Sequence, residues 1–343
     1  MELGVFSLTD IHATVDGGAR PTPGERLDDV VAYGILADRL GLDAFGIGEH
    51  HSRDFAVSSP VVSLAAVAQV TDRVRLVSTA TVLTTLDPVR VYQDHATLDL
   101  LSHGRAEIVA GRSAFAEPFA LFGVDPDRLD EVYAEKLDLL LQCRDHERVT
   151  WAGSSRPALL NEEVTPRAYA DRLPVWVGVG GTPTSALRAG DLGLPMMLGF
   201  VGGTLDNARR LVETYRLAGE QAGHDPAVLE VGLAAHLYVG TATASARDDV
   251  YPYYRRYVSS PTSRSSGWDV TRDQMDDLSE RGGALVIGGP EQVAAKLLDL
   301  RELLGIDRFL GQVDFGGLPR PMVEASVERF AREVAPVVRA TAR

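Results

Sequence analysis

A single cysteine, Cys143, stands among 343 residues. One thiol cannot build an intramolecular disulfide framework or a multi-cysteine zinc site, and it fits a reducing compartment. It closes the apolar pattern Leu139-Leu140-Leu141-Gln142-Cys143, so its expected role is helix packing rather than nucleophilic attack. Basic residues are also scarce: 34 Lys and Arg against 48 Asp and Glu leave a formal net charge of −14. That balance argues against nucleic acid and against an anionic membrane surface as partners. No run of about 18 apolar residues occurs, as a membrane span would need; the stretch 192–201 is short and broken by Pro195. The N-terminus opens on Glu2 without the basic region and apolar stretch of a secretion signal, which predicts a soluble, cytoplasmic chain.

What is present is a globular composition, 45% apolar and 24% charged, too apolar for bulk disorder. The length suits either two domains of roughly 150 residues or one α/β barrel of about 250 with insertions. Patterning favours the barrel. Short apolar runs at 3–8, 44–48, 74–82, 106–110, 175–179, 195–200, 231–239 and 308–313 read as strands. Most are unbroken rather than alternating, as expected of parallel strands covered on both faces. Helical patterns lie between them, one with a stripe of Leu27, Val30, Val31, Ile35 and Leu36, others starting near Ser58, Pro88, Arg128, Pro183, Thr204, Pro290 and Pro319. Eight strand–helix units predict an α/β fold of the (β/α)8 TIM-barrel type, with a doubly wound open sheet as the alternative. Three segments near 114–127, 149–172 and 250–283 fall outside the repeat and read as insertions. They are either lids over the catalytic face or decorations and oligomer contacts.

Four constellations could carry chemistry. Gly48-Glu49-His50-His51 follows the second strand, on the face where barrels catalyse. A carboxylate beside an imidazole can orient the ring for acid–base work; a metal site and a structural polar cluster are the alternatives. Adjacent histidines on extended chain point to opposite faces, so one ion would not easily take both. After the third strand comes Ser78-Thr79-Ala80-Thr81-Val82-Leu83-Thr84-Thr85, small enough for a flat ligand to pack on, yet equally explained by β-propensity. Past the fourth strand, Gly111-Arg112-Ser113 offers a guanidinium that either clamps a phosphate or forms a solvated ion pair. Finally Val177-Gly178-Val179-Gly180-Gly181-Thr182-Pro183-Thr184-Ser185 leaves a strand and opens a helix. Its free N–H groups, with hydroxyls of Thr182, Thr184 or Ser185, suit an anion, and it is also a plain N-cap on Thr182. It is neither a Walker loop nor a Gly-x-Gly-x-x-Gly dinucleotide loop. His95 and His103 read as structural; His236, inside the seventh strand, faces either the barrel interior or the outer helices.

The sequence resembles the bacterial-luciferase-like flavin-dependent monooxygenases over roughly residues 3–338. The likeness rests on Gly48-Glu49-His50-His51, Asp87-Pro88-Val89-Arg90, Leu98-Asp99-Leu100-Leu101-Ser102-His103-Gly104-Arg105, Gly111-Arg112-Ser113-Ala114-Phe115 with Leu121-Phe122-Gly123, Val177 to Pro183, and Ile287-Gly288-Gly289-Pro290-Glu291-Gln292-Val293. It implies one barrel domain over 1–343 binding reduced FMN, or in some relatives a deazaflavin (coenzyme F420), at the C-terminal face. By this likeness Arg112 and the turn Gly180-Gly181 with Thr184 or Ser185 hold the phosphate. Thr79-Ala80 matches the place of a non-prolyl cis peptide behind the flavin. His50 matches the active-site histidine, a general base or stabiliser of the oxygenated flavin, with Glu49 orienting it. The resemblance further implies O2 and a small organic substrate as reactants, a separate NAD(P)H:flavin reductase, and a homodimer packed through the helices after the early strands. A deazaflavin-dependent hydride-transfer enzyme, a non-catalytic flavin-binding relative and a metal-dependent hydrolase are the competing readings. One departure stands out: Tyr92-Gln93 replaces the Ala-Glu that relatives often carry, so a carboxylate on the third helix is missing.

Overall fold

In the computed structural model, described for every residue except 14, 114, 116, 260–267 and 342–343, the eight predicted strands are present. They are β1 (Glu2–Ser7), β2 (Ala44–Ile47), β3 (Arg75–Val82), β4 (Ala106–Gly111), β7 (Val175–Val179), β8 (Met196–Gly199), β9 (Val231–Val239) and β11 (Arg308–Asp314). All pair in parallel in the order β9-β11-β1-β2-β3-β4-β7-β8, and β8 pairs back onto β9, closing a (β/α)8 barrel. The open-sheet alternative falls with that last pairing. Around it run α1 (Pro23–Arg39), α2 (Pro60–Ala68), α3 (Pro88–Ser102), α5 (Leu129–Asp145), α6 (Pro183–Asp191), α7 (Leu205–Gln221), α10 (Pro290–Leu304) and α11 (Arg320–Arg329). No helix among the described residues is long and apolar enough to cross a membrane.

The extra segments hold structure of their own. Segment 114–127, whose positions 114 and 116 lie outside the described residues, contains α4 (Glu117–Phe122). Segment 149–172 contains most of an antiparallel hairpin of β5 (Arg148–Trp151) and β6 (Leu159–Glu163). The third is misplaced at its start: α8 (Thr243–Ser259) begins before 250, and α9 (Arg272–Ser279) follows the undescribed stretch 260–267. A short strand, β10 (Val286–Gly288), was not expected; it pairs with the upper end of β9. The chain ends on α12 (Ala335–Ala340).

Period-2 alternation along the strands layers the barrel interior. At the base, Arg308 pairs with Glu107 at 2.5 Å and lies over the Trp176 ring, whose Nε1 donates to Glu107. Above it sits an apolar layer of Phe6, Ala44, Val77, Val109, Trp176, Met197 and Leu310. One step further along the same strands the inward positions turn small or polar: Thr79, Gly111, Gly178, Gly199, Ala234 and Gln312. Small side chains cannot fill a ring that Phe, Trp and Met fill one layer below, so a cavity opens at the C-terminal mouth. The Leu98 to Arg105 motif works at the opposite end. Asp99 accepts from the Ala106 and Ala170 N–H groups, and Arg105 donates to the carbonyls of Ala68, Thr71 and Val74. Cys143 is fully buried in the helical layer and its thiol is pushed up to about 11, consistent with packing.

Candidate active site

The mouth cavity measures about 260 Å³. Of the expected site residues, His50, Glu49, Thr79, Ala80, Arg112, Gly180 and Ser185 line it, joined by Thr182. Two do not. Gly181 borders a neighbouring pocket instead, and the exposed Thr184 borders neither, because it sits on the outward side of the first turn of α6.

One part of the cavity lining gathers a guanidinium and two hydroxyls. Gly181 has φ +118°, a turn an L side chain rarely makes. The chain then enters α6 with Pro183 in the first turn and no side-chain cap. Thr182 takes the N-cap position expected of it, but its hydroxyl makes no cap bond: it lies 3.1 Å from Ser185 Oγ, and both residues line the cavity. Past the end of β4, the strand that pairs with β7, stands Arg112, whose carbonyl accepts from the Thr84 hydroxyl at 2.9 Å. Its guanidinium forms the partly solvated ion pair expected as one reading, with Asp130 of α5, while the residue also lines the cavity. Gly111 is needed because a Cβ there would lie 2.9 Å from Ala80 Cβ.

Ala80, Val109 and Met197 add apolar lining to the same cavity. The Thr79–Ala80 peptide bond is cis, as the family likeness suggested. Thr79 Oγ1 is buried on this wall without a hydrogen-bond partner.

His50 stacks on Phe55 with ring centroids 3.9 Å apart and meets Phe115 edge-on at 4.8 Å. Burial pushes its pKa down to about 4. His51 turns away, as adjacent residues on extended chain must, and packs against Phe122. Here one expectation is corrected. Glu49 does not orient His50: one of its oxygens lies 2.8 Å from His51 Nε2 and the other accepts from the Val82 N–H at 2.9 Å. The carboxylate follows the histidine that alternation places on its own side, and burial pushes its pKa up. His95 is structural, bridging Val91 O and Ser78 Oγ. His236 faces inward, two residues beyond Ala234. Among the described residues, no three of His, Cys, Asp and Glu converge as ligands of one ion would.

Phe6, Met197, Ala234 and Gln312 line the cavity without having been singled out. Gln312 alone carried a signal, as a polar residue inside an apolar strand.

A closed parallel barrel with a cavity at its C-terminal mouth, lined by an arginine, two hydroxyls, apolar side chains and a histidine, is the architecture on which barrel enzymes build their active sites. The family model for luciferase-like monooxygenases matches residues 1–308, and the chain belongs to that family. It is an oxidoreductase of the monooxygenase class. Limonene 1,2-monooxygenase from Rhodococcus erythropolis is 27% identical over 87% of this chain and 80% of its own. Among solved structures, the monooxygenase RslO1 from Streptomyces bottropensis superposes with a TM-score of 0.85 at 24% identity, covering 98% of this chain and 99% of its own. The oxygenating constituent of 3,6-diketocamphane monooxygenase from Pseudomonas putida, solved with FMN, gives 0.79 at 19%, covering 98% of each chain. An F420-dependent secondary alcohol dehydrogenase, solved with an F420-acetone adduct, gives 0.75 at 18%, also over 98% of each. Two of these structures hold a cofactor of the flavin type, FMN in one and an F420 adduct in the other.

Proposed function

We propose that this chain is the oxygenating component of a two-component monooxygenase. It takes reduced FMN from a separate NAD(P)H-dependent reductase and places one atom of O2 on a small organic substrate, as a cytoplasmic homodimer of single-domain chains. The observation that carries this reading is the alignment of three features along one cavity: Arg112 with the Thr182–Ser185 hydroxyl pair, the Thr79-Ala80 wall, and His50. FMN is preferred to F420 for a specific reason. The neighbouring pocket is lined by Gly202, Gly203, Thr204 and Asn207 and carries no basic side chain, so the acidic tail of a deazaflavin would find no cation there. The dimer reading is supported by Val62, Val70, Leu100 and Leu101, exposed apolar residues on or beside α2 and α3.

The residues fit the cofactor. Arg112 and the hydroxyl pair, at the N-terminal end of α6, would hold the phosphate. Thr79 Oγ1 is a buried group that still wants a partner, on the wall where the ring would lie. When bound, reduced FMN supplies the electrons that activate O2. The protein binds, orients and keeps water out. His50 stays neutral at physiological pH, so its ring offers one lone pair and one N–H and can take or hold a proton at the reacting edge. Phe55 and Phe115 fix that ring and close the site around it. Glu49 anchors the end of β2 to β3 through Val82 and positions His51.

Titration of the purified chain with FMN, anaerobically reduced FMN and F420 tests the assignment. Tightest binding to reduced FMN is expected, with O2 uptake on a panel of terpenes, ketones and aldehydes; tight binding to F420 alone would overturn it.

A further inference from the structure

Beside the mouth cavity the barrel keeps a second set of polar groups that the proposed function does not use. His236 is 2% exposed, and neither ring nitrogen has a hydrogen-bond partner. Buried donors and acceptors left unpaired are costly, and in native proteins they mark a place where water or a ligand supplies the missing bond. The same region holds further such atoms, among them Gln312 Oε1 and Tyr254 OH on fully buried residues, and Asp314 Oδ1 behind them.

Register brings them together. On β9, Gly232, Ala234 and His236 share the inward face, and Ala234 already lines the cavity. On β11, Gln312 is the direct cross-strand partner of His236 and also lines the cavity. Its Nε2 is turned aside to Tyr257 OH at 3.4 Å and the Asp314 carbonyl at 3.3 Å. The roof is aromatic: Tyr254 and Tyr257 from α8 and Phe315 after β11 meet the His236 ring edge-on, with centroids 5.5, 5.4 and 5.1 Å away.

We propose that His236, Gln312 and Tyr254 form the polar end of the substrate pocket, taking the carbonyl or hydroxyl oxygen of a neutral organic substrate. The proposal rests on reading the adjoining cavity as the flavin site. The chemistry follows from the groups. A neutral imidazole presents one N–H and one lone pair, the amide oxygen accepts, and the tyrosine hydroxyl does either. A ketone would receive bonds from His236 and Tyr254; an alcohol would also donate to Gln312 Oε1. Anionic substrates are disfavoured, because the carboxylates of Asp10 and Asp314 lie behind this region and Arg26 is already committed to Asp314 at 2.5 Å. The aromatic roof suits a hydrocarbon frame around the single oxygen.

The test uses the full chain with 15N-labelled histidine, with and without saturating FMN. Cyclohexanone, cyclohexanol and cyclohexane serve as probes, and the His236 ring signal is assigned by its loss in His236→Phe. Cyclohexanone and cyclohexanol are expected to shift that signal saturably and cyclohexane not to. In Gln312→Leu the affinity for cyclohexanol should fall roughly tenfold, more than that for cyclohexanone. Equal shifts from cyclohexane, or no shift from either oxygenated probe in a protein that binds FMN normally, would overturn the subsite and leave the flavin reading in place. Saturable shifts in a protein that binds neither FMN nor F420 would uphold the subsite and remove the flavin reading.

Discussion

The Arg112–Asp130 pair makes a prediction with two opposite signs. Asp130 is 60% exposed and Arg112 28%, so their attraction is heavily screened and worth at most about 1 kcal/mol. A phosphate at the cavity wall would meet the same guanidinium together with the Thr182–Ser185 hydroxyls and the end of α6. A charged hydrogen-bonded contact of that kind is worth roughly 1.5–3 kcal/mol. The phosphate should therefore displace Asp130. Arg112→Ala is expected to raise the Kd for FMN about ten- to a hundredfold. Asp130→Asn removes the competitor without the partner and should lower it, by up to about fivefold. Quenching of flavin fluorescence at two salt concentrations measures both, and riboflavin, which lacks the phosphate, is the control. Riboflavin binding should ignore either substitution, and Arg112→Ala should flatten the salt dependence for FMN. Unchanged FMN affinity in Arg112→Ala would remove this arginine from the site. Weakening by Asp130→Asn would mean that the carboxylate positions the guanidinium rather than competing for it.

Three further outcomes follow from the same geometry. His50→Ala should keep FMN affinity while oxygenated product falls about 10²- to 10⁴-fold; product formation at the parental rate would make the ring structural. Glu49→Ala strips a partner from both Val82 N–H and His51. It should cost roughly 1–3 kcal/mol in urea unfolding, and an unchanged midpoint would refute the anchoring role. His50, His95 and His236 are pushed down to about 4 by burial, so the unfolded chain binds more protons than the folded one between about pH 4 and 6.5. Stability should rise with pH across that window, by roughly 3 kcal/mol for each histidine. Asp314, raised to about 6 by burial, works in the opposite direction, and the three histidines outweigh it. Unfolding free energies at pH 5 and 7 decide the point; equal values would contradict it.

The strands were legible because a parallel barrel buries both faces of each, leaving short apolar runs that composition alone exposes. Arg112 and Gly180 were legible for a related reason: both follow such a run directly, and the ends of barrel strands converge. Thr184 and Gly181 show where that logic stops. Being within two residues of the right position does not say which way the first turn of α6 presents a side chain. Glu49 shows it again, since its neighbour in sequence is His50 but its neighbour in space is His51.

By itself, the sequence determined the (β/α)8 class, the order of its units and the strand ends that bear chemistry, because periodicity and turn residues act over a few positions. Closure of β8 onto β9 decided the rest. It set Phe6, Met197, Ala234 and Gln312, from four distant strands, around one cavity, and turned His236 inward beside them. No local pattern encodes that meeting, since it depends on how eight strands stagger around a common axis.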